Sequence, residues 1–236
     1  MNEAHSQQII SAFGKEIEEC NIDTQFRQPQ ENIDFFLKVI TDQIGHQDAP
    51  LAILECGTGT GFWLSQIADI FDRAVLSGFD LTPQMIEVAR NRLEETANPV
   101  SLKVGDISEQ SSFIFSVDRQ VFEEFDIIFA YDVIQQLPGS LRPRAIQNML
   151  SKLKRAGKVI IFDHDMFSFH GMKMWLKKKI TKYLYIPLVP RYYCLASYPD
   201  IRCMARQVER QGYRTEIMRS SDVHKQALII TRQSEI

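Results

Sequence analysis

Ile53-Leu54-Glu55-Cys56-Gly57-Thr58-Gly59-Thr60-Gly61 joins a short apolar run, an acid and three glycines in five positions. Leu51, Ile53 and Leu54 read as a buried strand that Glu55 closes. Phe62, Trp63, Leu64, Ile67, Ala68 and Phe71 then recur at helical spacing. The reading is strand, glycine turn, helix. Glycine suits a backbone that must bend tightly or approach a ligand with no Cβ in the way. The first N–H groups of a helix have no partner within it, so this helix aims donors back at the turn. A ligand at the turn can be held largely by backbone.

Two ligand classes use such a turn. The dinucleotide fingerprint is G-x-G-x-x-G, with pyrophosphate on the helix N-terminus. Here the pattern is Glu55-x-Gly57-x-Gly59-x-Gly61, and the third glycine comes one residue early. It resembles the first motif of class I S-adenosylmethionine-dependent methyltransferases. Their cofactor, S-adenosyl-L-methionine, leaves as S-adenosyl-L-homocysteine; it has no phosphate but carries a cationic amino group and a sulfonium. An acid before the first glycine suits a cation and repels a pyrophosphate, so Glu55 separates the two classes. The plain alternative is a glycine turn with no ligand.

Downstream residues supply context. Ala74–Phe79 reads as the second strand, and Asp80 ends it about 20 residues past the turn, where an acid accepts from ribose hydroxyls. Thr82 and Pro83 read as N-cap and first helical residue, with Met85, Ile86, Ala89 and Leu93 as the buried stripe. Val100–Val104 is the third strand, followed by Gly105-Asp106-Ile107. The resemblance implies that Asp106 accepts from the adenine amino group and the Ile107 N–H serves a ring nitrogen, with Leu81 beside the adenosine. Phe125–Ala130 is the fourth strand, leaving through Tyr131 to Pro138. By the resemblance that segment, Tyr131 first, lines the methionine end of the cofactor and faces the acceptor. Gln135 and Gln136 stand where many small-molecule members carry histidine. The Asn/Asp-Pro-Pro-aromatic signature of nucleic-acid amino-methyltransferases is absent from residues 130–133.

Ser140 is expected to cap a helix facing inward with Ala145, Ile146, Met149, Leu150 and Leu153, stopped by Gly157. Lys158–Phe162 follows as the fifth strand. Ser197-Tyr-Pro-Asp200 resembles a capping box for a helix stopped by Gly212, before strands 213–218 and 226–231. Alternating strands and helices imply an α/β, doubly wound, mostly parallel sheet. The resemblance gives seven strands in the order 3-2-1-4-5-7-6, the last antiparallel. Expected organisation is a single domain over 1–236: a helical cap at 1–46 packed on the sheet, a cofactor-binding core at 50–165, a lid at 166–199, and a terminal helix and hairpin at 200–236. Ligands of such sheets lie at the carboxyl ends of the strands. Glu55, Asp80, Asp106, Tyr131 and His164 all fall there.

The segment 166–199 breaks the alternation. It has no Asp or Glu but six Lys and Arg, with eight aromatics interleaved. The whole chain carries −3, so setting those six aside leaves −9 on the rest. We read it as a lid over the acceptor, with Tyr193, His170 and Trp175 as substrate-binding candidates. A cationic, aromatic lid fits an acceptor with an apolar body and a negative group. Lys177–Lys179 also fit a solvated helix face. Residues 172–190 further fit a basic amphipathic element in peripheral contact with an acidic membrane. The overall acidity and a pI near 6.0 argue against nucleic acid.

Cys20, Cys56, Cys194 and Cys203 show no metal spacing, and fit reduced thiols of a cytoplasmic protein. No secretory signal or membrane-length apolar run is legible. Oligomeric state is not legible either. Methyl transfer from a sulfonium needs alignment and exclusion of water more than covalent help. A protonated acceptor needs a base, and a carboxylate needs none. His164, between Asp163 and Asp165, is the base candidate, its pKa expected to rise beside two carboxylates; Tyr131 is the second catalytic candidate. The expected activity is methyl transfer to oxygen or nitrogen of a small molecule or short peptide, a natural product or a carboxylate among them. Alternatives are a non-catalytic S-adenosylmethionine-binding protein and a nicotinamide-dependent oxidoreductase, which would lack the Tyr-x-x-x-Lys pair of short-chain reductases.

Overall fold

A computed structural model describes residues 3–19, 28–45, 49–117, 120–184, 186, 195–220 and 224–233. Helices α1 (Glu3–Glu19) and α2 (Gln30–Ile44) precede strand β1 (Ala52–Cys56) and helix α3 (Phe62–Ala68). Then come β2 (Val75–Asp80), α4 (Pro83–Leu93), β3 (Val100–Val104) and the short strands β4 (Phe115–Val117) and β5 (Gln120–Phe122). The chain continues through β6 (Phe125–Tyr131), α5 (Arg142–Ser151), β7 (Leu153–His164), α6 (Phe169–Leu184), α7 (Ile201–Glu209), β8 (Tyr213–Arg219) and β9 (Lys225–Arg232).

Seven strands form one sheet in the order β3-β2-β1-β6-β7-β9-β8, while β4 and β5 pair only with each other. Setting that hairpin aside, this is the expected order. Strands β1, β2, β3, β6 and β7 pair in parallel, and β9 is antiparallel to both its neighbours. Every residue of β1 is buried, as a central strand with both faces covered must be. Phe36 of α2 and Trp63 of α3 pack on one face with Phe129 and Phe162. Helices α5 and α7 cover the other through Met149, Leu150, Met204 and Val208. Because the parallel strands run one way, Glu55, Asp80, Tyr131 and His164 share one sheet edge.

Several local expectations fail. The β4–β5 hairpin has no forecast in the sequence, where its alternation is only three residues long. Gly157 lies inside β7 and does not stop a helix; α5 ends at Ser151 and Leu153 is already strand. A Cβ on Gly157 would stand 2.8 Å from the Phe125 carbonyl oxygen, so the glycine permits a close approach of β7 to β6. The N-cap of α5 is Leu141, with no side-chain cap from Ser140. For α7 the cap is Asp200, which accepts from the N–H groups of Arg202 and Cys203 at 3.0 and 3.1 Å, rather than Ser197. Only α2 packs on the sheet as expected of the N-terminal helices. Helix α1 lies against α4 and, through Ile9 and Phe13, over a cavity.

Candidate active site

The bend after β1 is tied to β2. Gly57 and Thr58 donate their N–H groups to the Phe79 carbonyl at 2.8 and 2.9 Å, and the Gly59 N–H donates to Asp80 Oδ2 at 2.9 Å. Gly57 has φ +74° and sits so close to Val133 that a Cβ would meet a methyl carbon at 2.4 Å. Substituting Gly57→Ala therefore combines left-handed strain with overpacking, and should lower unfolding free energy by about 1–3 kcal/mol in urea titrations. Unchanged stability would mean that the bend adapts.

Beneath the bend lies a cavity of about 510 Å³, within the range of small-molecule sites. One end is lined by Glu55, Gly57, Gly59, Asp80, Leu81, Asp106 and Ile107, the other by Tyr131, Asp132, Gln135, His164 and Lys225. Glu55 is buried and accepts from Thr58 Oγ1 at 2.8 Å. Burial pushes its pKa well up against that bond, and Asp80 adds to the rise. Asp80 is likewise raised by burial, while bonds from the Thr82 and Gly59 N–H groups oppose it. Thr82 holds the N-cap position of α4 without a side-chain cap bond. Asp106 Oδ1 accepts from the Ser108 N–H at 2.8 Å, and the Asp106 N–H donates to Ser112 Oγ. Gly61 borders the bend, its φ of +75° opening α3. Its N–H donates to the Thr58 carbonyl at 2.9 Å.

Tyr131 is stacked between Trp63 and Phe162, with ring centroids 4.1 and 5.4 Å away. Its buried hydroxyl has no hydrogen-bond partner among the described residues. Burial, then Asp132 and Asp163, push its pKa well up, so it offers a phenol O–H rather than a base. Gln135 Oε1 and Gln136 Oε1, on residues that also line the cavity, are likewise buried with no hydrogen-bond partner among the described residues.

Past Tyr131 stands a charged cluster that spacing did not reveal. Asp132 has φ +59°, and both its carboxylate oxygens accept from Lys225 Nζ. His164 Nδ1 lies 3.3 Å from Asp132 Oδ1 and 3.2 Å from Lys225 Nζ. Burial would raise Asp132, but Lys225 and His164 outweigh it and hold the carboxyl below the usual range. Asp163, fully buried, is pushed up to about 7 by burial and by Asp132. His164 departs from expectation: burial first and Lys225 second lower its pKa, and Asp132 only partly offsets them. The imidazole is therefore neutral near pH 7. Asp132, Asp163 and His164 place ligand atoms within 4.8 Å of one another, a spacing open to a metal ion. The ammonium of Lys225 sits against the Asp132 carboxylate of the same group.

The lid candidates divide. Tyr193 lies outside the described residues, and His170 belongs to α6 with its side chain likewise undescribed. Trp175 is 47% exposed, with Lys179 Nζ 5.4 Å from its ring centre, while Met174 beside it lines the cavity. Lys178 leaves the expected solvated face. It is buried, donates to the Ala196 carbonyl at 2.9 Å and sits 4.0 Å from the Tyr198 ring centre. Sequence reasoning missed Lys225 and Asn32, which also line the cavity, since no local motif marks either.

Known proteins resemble this chain in sequence and in fold. Residues 53–157 match the family model described as a methyltransferase domain. A malonyl-[acyl-carrier protein] O-methyltransferase of Priestia megaterium (strain DSM 319 / IMG 1521) is 34% identical over 133 residues, 55% of this chain and 44% of that protein. The namesake of Anoxybacillus flavithermus (strain DSM 21510 / WK1) is 26% identical over 123 residues, 52% of this chain and 42% of that protein. The chain thus spans less than half the length of these curated relatives. Among solved structures, the DhpI-SAH complex superposes with a TM-score of 0.64 at 11% identity, covering 100% of both chains. The pyocyanin biosynthetic protein PhzM gives 0.62 at 17% identity, over 94% of this chain and 62% of PhzM. At those identities the structures speak for the fold alone. The glycine bend, the strand order and the matched segment agree: residues 53–157 are similar to a methyltransferase domain, and the fold around them is the one shared by the superposed structures.

Proposed function

We propose that this chain transfers a methyl group from S-adenosyl-L-methionine to an oxygen atom of a small molecule. The observation that carries the reading is Glu55: a buried carboxylate on the cavity wall whose pKa burial raises and whose bonding partner is a neutral threonine. No basic side chain offsets it among the described residues. An uncompensated buried charge is costly, so the site favours a cationic ligand over a diphosphate. That also disfavours the nicotinamide alternative.

When bound, the cofactor supplies a methyl group already activated by its sulfonium. Glu55 then faces the cationic amino end, and Asp80 accepts from the ribose hydroxyls. Asp106 and the Ile107 N–H read the adenine edge. Tyr131 donates its phenol into the cavity. Ile9, Phe13 and Met174 exclude water. Acceptor deprotonation falls to His164. Its Nδ1 donates to Asp132 in the tautomer that leaves an Nε2 lone pair for the acceptor proton; the other tautomer, accepting from Lys225, would make Nε2 a donor. A neutral, positioned imidazole favours a hydroxyl acceptor. A carboxylate acceptor is the second reading, because the named relatives act on malonyl groups; it needs no base.

Calorimetry with S-adenosylmethionine and S-adenosylhomocysteine tests the cofactor. Saturable binding is expected, weakened more than tenfold, about 1.4 kcal/mol, by Glu55→Ala. Absence of saturable binding to the folded chain, with NADH quenching its fluorescence instead, would reverse the assignment. Transfer of labelled methyl to any member of an acceptor panel would set aside the non-catalytic alternative.

A further inference from the structure

Most of the apolar residues of α6 that face away from the body are exposed. Phe169, Met172, Leu176, Ile180 and Tyr183 recur at three- and four-residue steps, which places them on one helical face. Phe169 is 83% exposed, Tyr183 63%, Met172 58% and Leu176 53%. Trp175 and Leu184 flank them, also exposed. The buried residues Gly171 and Lys178 mark the opposite side, together with Met174, which lines the cavity. The hydrophobic face of this helix is thus turned to solvent, the reverse of a helix that serves only the core. Contiguous exposed apolar surface of this kind marks an interaction site.

Charge selects the occupant. Lys173, Lys179 and Lys182 border the apolar face and are exposed. No acid occurs in residues 166–199, although the remainder of the chain is strongly acidic. Lys179 lies 5.4 Å from the ring centres of both Trp175 and Tyr183. Lysine stems among apolar side chains, with tryptophan and tyrosine alongside, suit a boundary between hydrocarbon and anionic headgroups. No described helix is long and apolar enough to cross a membrane, which leaves surface attachment as the mode. We propose that α6 docks this protein on an anionic lipid bilayer, apolar face inserted and lysines at the phosphates, with the cavity on the far side of the same helix.

Vesicle flotation tests this with the full chain. Phosphatidylcholine vesicles containing about one-third phosphatidylglycerol should carry the protein at low salt, and pure phosphatidylcholine should not. Trp175 emission should shift to the blue on binding, since the other tryptophan, Trp63, is already buried. Met172→Ser/Leu176→Ser should reduce partition at least tenfold. Lys173→Gln/Lys179→Gln/Lys182→Gln should do the same, with S-adenosylhomocysteine binding and thermal unfolding unchanged as fold controls. A chain that stays unbound at low salt overturns the proposal, as does partition indifferent to both variants. A concentration-dependent dimer dissolved by Met172→Ser/Leu176→Ser would assign the face to a second copy, and an acidic protein competing vesicles away without itself binding lipid would assign it to that partner; either result overturns the lipid assignment.

Discussion

Replacing Lys225 by methionine should lower the unfolding free energy by about 3–5 kcal/mol near pH 8, the usual cost of stripping one partner from a buried ion pair. Lys225 is 3% exposed and its ammonium bonds both oxygens of Asp132. It also restrains the rise of the Asp163 pKa. Without it two neighbouring carboxylates face each other under the sheet edge. The deficit should shrink as pH falls. A carboxyl whose folded pKa is raised costs stability when ionised; without Lys225 Asp163 is raised beyond the about 7 it has beside that ammonium, so the penalty grows with pH from the ordinary 3.8 through and past 7. Urea titrations at pH 8 and 5.5 measure both effects. Adding Asp132→Asn to Lys225→Met should restore most of the loss. A deficit under about 1 kcal/mol at pH 8 would show that solvent in the cavity, where Asp132 keeps 29% side-chain exposure, screens the pair.

The second large effect concerns rate. His164→Gln should reduce turnover by about 10²–10⁴-fold, the range for loss of a positioned base, while S-adenosylhomocysteine affinity stays within twofold. The pH profile carries the sign. A base works only when neutral, and burial with Lys225 depresses His164 below its ordinary 6.5. The acid limb of kcat/KM should therefore fall at a pH under 6.5 and be flat from 7 to 8. His164→Gln should abolish that limb. Turnover that survives the substitution intact would move the acceptor from a hydroxyl to a carboxylate, which needs no proton removed.

Much of the scaffold was legible because its signals are local. The apolar run before Glu55, the glycine spacing and the helical recurrence after Gly61 are all set within 20 residues. The stripe Met85, Ile86, Ala89, Leu93 is buried as read. Boundaries failed where tertiary contact overrides a local cue. Gly157 reads as a helix stop, yet it serves a backbone crossing against Phe125 that only β6–β7 pairing creates. Ser197 looks like a cap, but its N–H donates to the Gln135 carbonyl at 2.6 Å and Asp200 takes the role.

Electrostatics shows the division most clearly. From sequence, His164 between Asp163 and Asp165 should be held charged. In the fold Lys225, 61 residues away, arrives at 3.2 Å, and burial reverses the direction. A pKa depends on solvent access and on every charge within several ångströms, neither of which the order of residues records. The order of residues by itself determined the parallel α/β layering and the acid-and-glycine bend, since strand, turn and helix preferences act over a few neighbours. Which cations meet which acids, and which face of α6 looks outward, only the tertiary structure decided, because those distances exist once the sheet has brought remote segments together.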